Sequence, residues 1–172
     1  MPPKWIFEPL DKARHNRAVF SCGKEPLDRY LQQQANQDLQ KKVAAVMVLT
    51  PDGTTIAGYY TLSQYSIELG ALPQTILKKL KLPRYPELPA TLLGRLAVSS
   101  RFRGQGIGEL LLMEALKRSL DQSRSIASMA VVVDAKDEEA KAFYVRYGFI
   151  ELPDYPDRLF LPMKTIQQMF EL

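Results

Sequence analysis

The chain has 172 residues, 46% hydrophobic and 24% charged, and its 23 basic and 19 acidic side chains leave a net charge of +4. At about 150 residues per domain this length predicts a single domain over residues 1–172, and the composition excludes a disordered, collagen-like or disulfide-stapled chain. The charge excess is too small for a dedicated nucleic-acid module but allows phosphate-rich ligands. One cysteine, Cys22, and one histidine, His15, exclude an intrachain disulfide and a Cys- or His-rich metal centre, so no metal is expected. The opening Met1-Pro2-Pro3-Lys4-Trp5 lacks the apolar core of a signal peptide. No apolar run approaches the roughly 20 residues of a membrane span. The expected location is the cytoplasm, with no membrane partner.

Residues 24–42 predict a helix, with Pro26 in its first turn and Leu27, Tyr30, Leu31 and Ala35 on one face. Residues 43–50 predict a buried strand and residues 54–64 a second one. Pro51-Asp52-Gly53 is turn chemistry, so the two form an antiparallel hairpin. Residues 73–81 predict a short helix, followed by a proline-stiffened loop; this stretch carries Lys78, Lys79, Lys81 and Arg84. A strand over 91–98, a glycine loop over 101–108 and an apolar helix over 107–120 come next. Residues 126–134 predict another buried strand. Asp137 suits the N-cap of a helix that ends before Gly148. A last strand over 159–164 leads into a short amphipathic helix. This succession predicts an α/β (α+β) fold, a sheet flanked by helices.

The segment Arg101-Phe102-Arg103-Gly104-Gln105-Gly106-Ile107-Gly108 follows a strand and opens a helix. Glycines at alternate positions leave no side chains over the loop, so backbone N–H groups can approach an anion, and the helix dipole favours it there. Arg103 can add a charge-assisted contact. The loop departs from the dinucleotide pattern G-x-G-x-x-G and lacks the G-K-[ST] of a Walker loop. Taken alone, it also reads as a tight strand-to-helix connection without a ligand.

Arg103-x-x-Gly106-x-Gly108 resembles the acetyl-CoA signature of the GCN5-related N-acetyltransferases, and Ala140-x-x-Phe143-Tyr144-x-x-x-Gly148-Phe149 resembles the motif of their next helix. Further segments are similar to the toxin branch of this family, found in bacterial toxin–antitoxin operons. They are Phe20-x-Cys22-Gly23 with Leu27-Asp28-x-Tyr30-Leu31, Gly58-Tyr59-Tyr60-Thr61-Leu62-Ser63, Leu82-Pro83-Arg84-Tyr85-Pro86, Leu93-Gly94-Arg95-Leu96-Ala97-Val98 and Leu159-Phe160-Leu161-Pro162-Met163-Lys164. The resemblance implies a central mixed, mostly antiparallel twisted sheet and transfer of an acetyl group from acetyl-CoA to an amine. It places the pantetheine against Leu96, Ala97 and Val98 and the pyrophosphate at Arg103, Gly104, Gln105, Gly106, Ile107 and Gly108. It makes Tyr144 the proton donor to the leaving thiolate, a role a phenol near pKa 10 can fill for a thiol near 8.5. Read without the motif, Tyr144 is a packed core aromatic.

No general base stands out. At pH 7 a lysine amine is neutral about once in 2,500 molecules, an α-amine roughly one time in six. Such a site suits the α-amine of an aminoacyl ester, and the toxin branch acetylates aminoacyl-tRNA, blocking translation. Lys78, Lys79, Lys81, Arg84 and Arg95 are the candidate phosphate contacts, or else a solvated charged face. The resemblance further implies a ribbon-helix-helix antitoxin as partner, reaching operator DNA only through that complex, and a homodimer. An acetyltransferase acting on a protein N-terminus, a lysine or a small amine remains an alternative, as does a non-catalytic acetyl-CoA- or antitoxin-binding module. His15 reads as a surface residue, Cys22 as structural and Tyr147 as packing. Strand alternation sends Tyr59 and Tyr60 to opposite faces.

Overall fold

The computed structural model describes residues 4–171. Its elements are β1 (Ile6–Pro9), α1 (Glu25–Arg29), a π-helical turn (Tyr30–Gln34), α2 (Ala35–Gln40), β2 (Ala45–Thr50), β3 (Gly58–Glu68), α3 (Gln74–Leu80), β4 (Glu87–Val98), α4 (Ile107–Gln122), β5 (Ala130–Asp134), α5 (Glu138–Arg146), β6 (Ile150–Leu152), β7 (Tyr155–Pro162) and α6 (Met163–Phe170). Hydrogen-bonded strand neighbours run β1-β2-β3-β4-β5-β7-β6. The β4–β5 pair is parallel, and β1–β2, β2–β3, β5–β7 and β6–β7 are antiparallel. This is the mixed, mostly antiparallel sheet that the family resemblance implies. The chain divides into two compact units, and β3, β4 and α4 each contribute residues to both.

The first unit holds residues up to Ser63 together with Gly94–Ala115. Its core gathers Leu10, Phe20, Leu31, Val46, Val48, Ile56, Tyr59 and Ala97. β2 and β3 pair in the register Val48↔Tyr59, and the predicted hairpin turn lies between them. Asp52 builds that turn. Its Oδ1 accepts the N–H groups of Thr54 (2.9 Å) and Thr55 (2.7 Å), and its Oδ2 accepts the Thr55 hydroxyl at 2.8 Å. These bonds, the Thr55 N–H foremost, hold the carboxyl down at about 2. A depressed folded-state value contributes stability above the ordinary 3.8 that is lost as pH falls through about 2. Asp52→Ala is therefore expected to lower Tm at pH 7 and to flatten the fall in Tm between pH 4 and pH 2. Equal acid sensitivity in mutant and wild type, read by thermal melts, contradicts this account.

Three readings of this half need correction. The predicted helix over 24–42 is broken into α1, the π-helical turn and α2. β1 was not predicted, and its four residues are too few to show a periodicity. His15 is buried rather than on the surface, only 3% exposed. Its Nδ1 accepts the Asp11 N–H at 2.9 Å and its Nε2 lies 2.6 Å from Glu8 Oε1. That arrangement makes Nε2 the N–H donor to the carboxylate. Both ring nitrogens are satisfied, so the imidazole can be buried at little cost.

The second unit holds Gln64–Leu93 and residues from Leu116 onward. Ile67, Leu72, Leu88, Ala130, Val132, Leu152 and Phe160 form its core. β4 begins at Glu87, earlier than predicted, in spite of Pro89. The ladder with β5 starts only at Thr91↔Val131, beyond that proline, and the Pro89 carbonyl accepts the Met129 N–H at 2.9 Å. A proline at this point removes no ladder bond to β5. β5 is shorter than predicted, and β6 was not predicted. β7 begins four residues earlier than the predicted 159–164 strand and ends two residues earlier, so α6 begins at Met163. Asp137 caps α5 as expected, its Oδ1 accepting the Ala140 N–H at 2.8 Å.

Candidate active site

The glycine loop lies in the first unit and runs directly into α4. Gly104 and Gly106 have φ of +78° and +74°, a left-handed backbone that side-chain-bearing residues rarely adopt. A Cβ on either would meet nothing within 4 Å, so the backbone angle rather than space requires glycine there. Left-handed residues set between others turn successive N–H groups toward one side and form an anion-binding concavity. The first helical bond runs from the Leu110 N–H to the Gly106 carbonyl, at 3.1 Å. The N–H groups of Ile107, Gly108 and Glu109 precede it and have no intrahelical acceptor. Arg103 through Gly106 are all exposed. The loop thus combines open backbone donors, a helix dipole and a guanidinium, the chemistry of a pyrophosphate cradle.

Leu96, Ala97 and Val98 form the end of β4. The β4–β5 ladder covers Thr91–Leu93 against Val131–Val133, whereas β4 runs on to Val98. The strand therefore extends five residues beyond its last pair with β5, which leaves backbone amides on that edge for a pantetheine-like ligand.

Arg95 is half-buried, and its guanidinium carbon lies 3.5 Å from the centroid of the Tyr30 ring. The Tyr30 hydroxyl donates to Asp38 Oδ2 at 2.7 Å, and its ring stacks on Tyr59 at 6.4 Å. Burial, then the Asp38 hydrogen bond, push the Tyr30 phenol above its usual range, so it remains the donor. No hydrogen bond or ion pair engages Arg95 among the described residues, so its N–H groups are open to an anion. Tyr59 and Tyr60 do point apart: one hydroxyl donates to the Leu27 carbonyl at 2.6 Å, the other to Glu114.

Tyr144 lies on α5 in the second unit. Its ring is buried, with edge-on contacts to Phe143 and Phe149 at 5.2 Å each. Burial pushes the phenol above its usual value near 10, so it keeps its proton at neutral pH. No hydrogen bond to its hydroxyl occurs among the described residues. A buried ring whose protonated hydroxyl is not committed to a partner can act both as packing and as an acid. Tyr147 packs against Phe143 at 5.2 Å, as expected.

Lys78, Lys79, Lys81 and Arg84 are also in the second unit. All four are exposed and make no ion pair among the described residues. Lys78 and Lys79 close the last turn of α3, and Lys81 caps it in a left-handed conformation at φ 50°. Arg95 belongs to the first unit. Among the described residues, no cluster of three or more His, Cys, Asp or Glu has metal-binding geometry, and no helix is long and apolar enough to cross a membrane.

Sequence reasoning did not identify the groups that hold Arg95 and Arg103. Tyr30 stacks on Arg95, and the Cys22 carbonyl accepts Arg103 Nη2 at 2.8 Å. The signal was present, because Cys22, Asp28 and Tyr30 all belong to the N-terminal motif, but their partners lie far along the chain.

Residues 44–151 match the acetyltransferase (GNAT) domain family. A protein described as "Probable toxin TacT", from Sinorhizobium fredii, is 35% identical over 96% of this chain and 95% of its own length. A "tRNA-acetylating toxin" from Mycobacterium tuberculosis is 34% identical over 87% of each. The structure of AtaT complexed with acetyl-methionyl-tRNAfMet superposes with a TM-score of 0.87 at 31% identity, over 98% of this chain and 100% of that one. A tyrosine-to-phenylalanine mutant of AtaT bound to the C-terminus of the antitoxin AtaR and acetyl-CoA gives a TM-score of 0.83 at 26% identity, over 98% and 99%.

Proposed function

From the premise that the chain belongs to the GNAT acetyltransferase family, we propose that it is a toxin that acetylates the α-amine of aminoacyl-tRNA and so blocks translation. The observation that carries this reading is the open Arg103–Gly108 cradle at the start of α4, in a chain whose relatives include a tRNA-acetylating toxin. Acetyl-CoA, when bound, supplies an acetyl thioester whose carbonyl an amine can attack, releasing a thiolate. The residues present fit it. Leu96, Ala97 and Val98 offer backbone amides to the pantetheine. Gly104, Gln105, Gly106, Ile107 and Gly108 direct N–H groups at the pyrophosphate, and Arg103 adds positive charge. Tyr144 gives its proton to the thiolate sulfur and is re-protonated from solvent. The attacking α-amine is already partly neutral at pH 7, so the surplus proton it loses on acylation can leave to water without a dedicated base.

Arg95, Lys78, Lys79, Lys81 and Arg84 contact phosphates of the acceptor in this reading. Their open donors support it, and for Arg95 so does its fixed position on Tyr30. The double variant Lys78→Glu, Lys79→Glu is expected to weaken tRNA binding and to lower the salt slope of log K by about 1 for each phosphate no longer engaged. A slope equal to the wild type's would assign these lysines to a solvated face. The reading further takes the chain as one domain in the cytoplasm, a homodimer, neutralised by an antitoxin of ribbon-helix-helix type; the antitoxin-bound AtaT relative supports the antitoxin partner.

The direct test adds the purified chain and labelled acetyl-CoA to a cell-free translation system. Label on the aminoacyl end of tRNA, with translation arrested, is the expected result. Unimpaired translation with label on protein or a small amine would replace the toxin reading with that of an acetyltransferase for those acceptors.

A further inference from the structure

The N-terminal motif Phe20-Ser21-Cys22-Gly23 makes contacts that the reaction above does not use. It is joined to the cofactor loop and to the residue just before it. The Ser100 N–H donates to the Ser21 carbonyl at 2.8 Å, and Arg103 Nη2 donates to the Cys22 carbonyl, also at 2.8 Å. The Cys22 backbone is itself anchored, its N–H donating to Asp28 Oδ1 at 2.9 Å. Gly23 makes the approach possible. A Cβ there would lie 2.7 Å from Arg103 Nη2, and the residue sits at φ +89°.

We infer that Gly23, the Cys22 carbonyl and Asp28 form a positioning device for acetyl-CoA, holding the Arg103 guanidinium ready for the pyrophosphate. An exposed arginine samples many rotamers, and fixing it on a ligand costs the entropy of those rotamers. A side chain already held by the protein has met that cost before binding. The Cys22 carbonyl takes one N–H of the guanidinium fork, and the remaining donors stay available to phosphate oxygens. Glycine at 23 is thus a cofactor-affinity residue that touches no cofactor. This inference rests on the assignment of Arg103 to the acetyl-CoA site.

A double-mutant cycle on the full chain tests it. Acetyl-CoA Kd would be measured by calorimetry for the wild type, Gly23→Ala, Arg103→Ala and the double variant, with KM for the acceptor alongside. Gly23→Ala is expected to weaken acetyl-CoA binding roughly tenfold, the effect of removing one charge-assisted hydrogen bond, with acceptor KM unchanged. In the Arg103→Ala background it should have no further effect. Wild-type affinity in Gly23→Ala, or equal weakening in both backgrounds, overturns the positioning role. Wild-type affinity in Arg103→Ala overturns instead the cofactor assignment beneath it. If Gly23→Ala does not fold, Asp28→Ala replaces it in the same cycle, with a smaller loss in the same direction and the same silencing by Arg103→Ala. A loss that persists in that background overturns the inference.

Discussion

Tyr144→Phe is expected to slow acetyl transfer by about 10²–10⁴-fold, the usual contribution of a positioned general acid. The acetyl-CoA Kd should stay near that of the wild type, because the assigned cofactor contacts are backbone groups and Arg103. Stability should barely change: the ring contacts to Phe143 and Phe149 survive, and the deleted hydroxyl has no partner among the described residues. This combination separates a proton donor from a packing residue, which would show the opposite pattern. The raised phenol pKa adds a second signature. An acid works only while protonated, so kcat in the wild type should show no downturn between pH 7 and about 10. Full activity in Tyr144→Phe, measured as labelled acetyl on the acceptor, would remove the tyrosine from the mechanism.

The largest structural effect is expected at Gly58, at the start of β3. A Cβ there would stand 2.7 Å from Leu111 Cδ1, 2.8 Å from the Ala97 carbonyl oxygen and 3.4 Å from Ile107 Cγ2. Leu111 can rotate the end of its side chain, but the Ala97 oxygen belongs to a strand backbone and can retreat only if β4 moves. Gly58→Ala should cost about 1–3 kcal/mol as an overpacked core position, lowering Tm by on the order of 2–4 °C per kcal/mol at this chain length. Gly58→Val, with two more buried methyl groups, should cost more. The displaced carbonyl lies in the segment assigned to the pantetheine, so acetyl-CoA affinity should fall together with Tm. Gly58→Ala with wild-type Tm and affinity would show that the backbone yields more easily than this packing implies.

Much of the fold and of the assigned site was readable in the residues because its signals are local. The β2–β3 hairpin announces itself through Pro51-Asp52-Gly53, the α5 cap through Asp137, and the cradle through glycines at alternate positions. The features that were missed depend on distant partners or on short elements. His15 is buried because Glu8 and Asp11 satisfy its ring, and Glu8 is placed by β1, a strand too short to carry a pattern. The π-helical turn has no compositional mark, and Tyr30–Gln34 reads as ordinary helix. The bond between Arg103 and Cys22 joins residues 81 apart. No helical or strand period connects them, and only their membership of two recognisable motifs suggests that they belong together.

The lone thiol of Cys22 makes the segment bonded to Ser100 and Arg103 open to kinetic observation. Burial, then the Asp28 hydrogen bond, push this thiol up to about 11. At pH 8 roughly one molecule in a thousand would carry the thiolate, against about one in four for an ordinary cysteine. Alkylation of the folded chain should therefore be slow, and its rate should report how often residues 20–23 come away from the loop they brace. Saturating acetyl-CoA should slow labelling if the ligand and the brace stabilise the same arrangement. One cysteine and one reagent then give the opening equilibrium of residues 20–23, without any engineered probe.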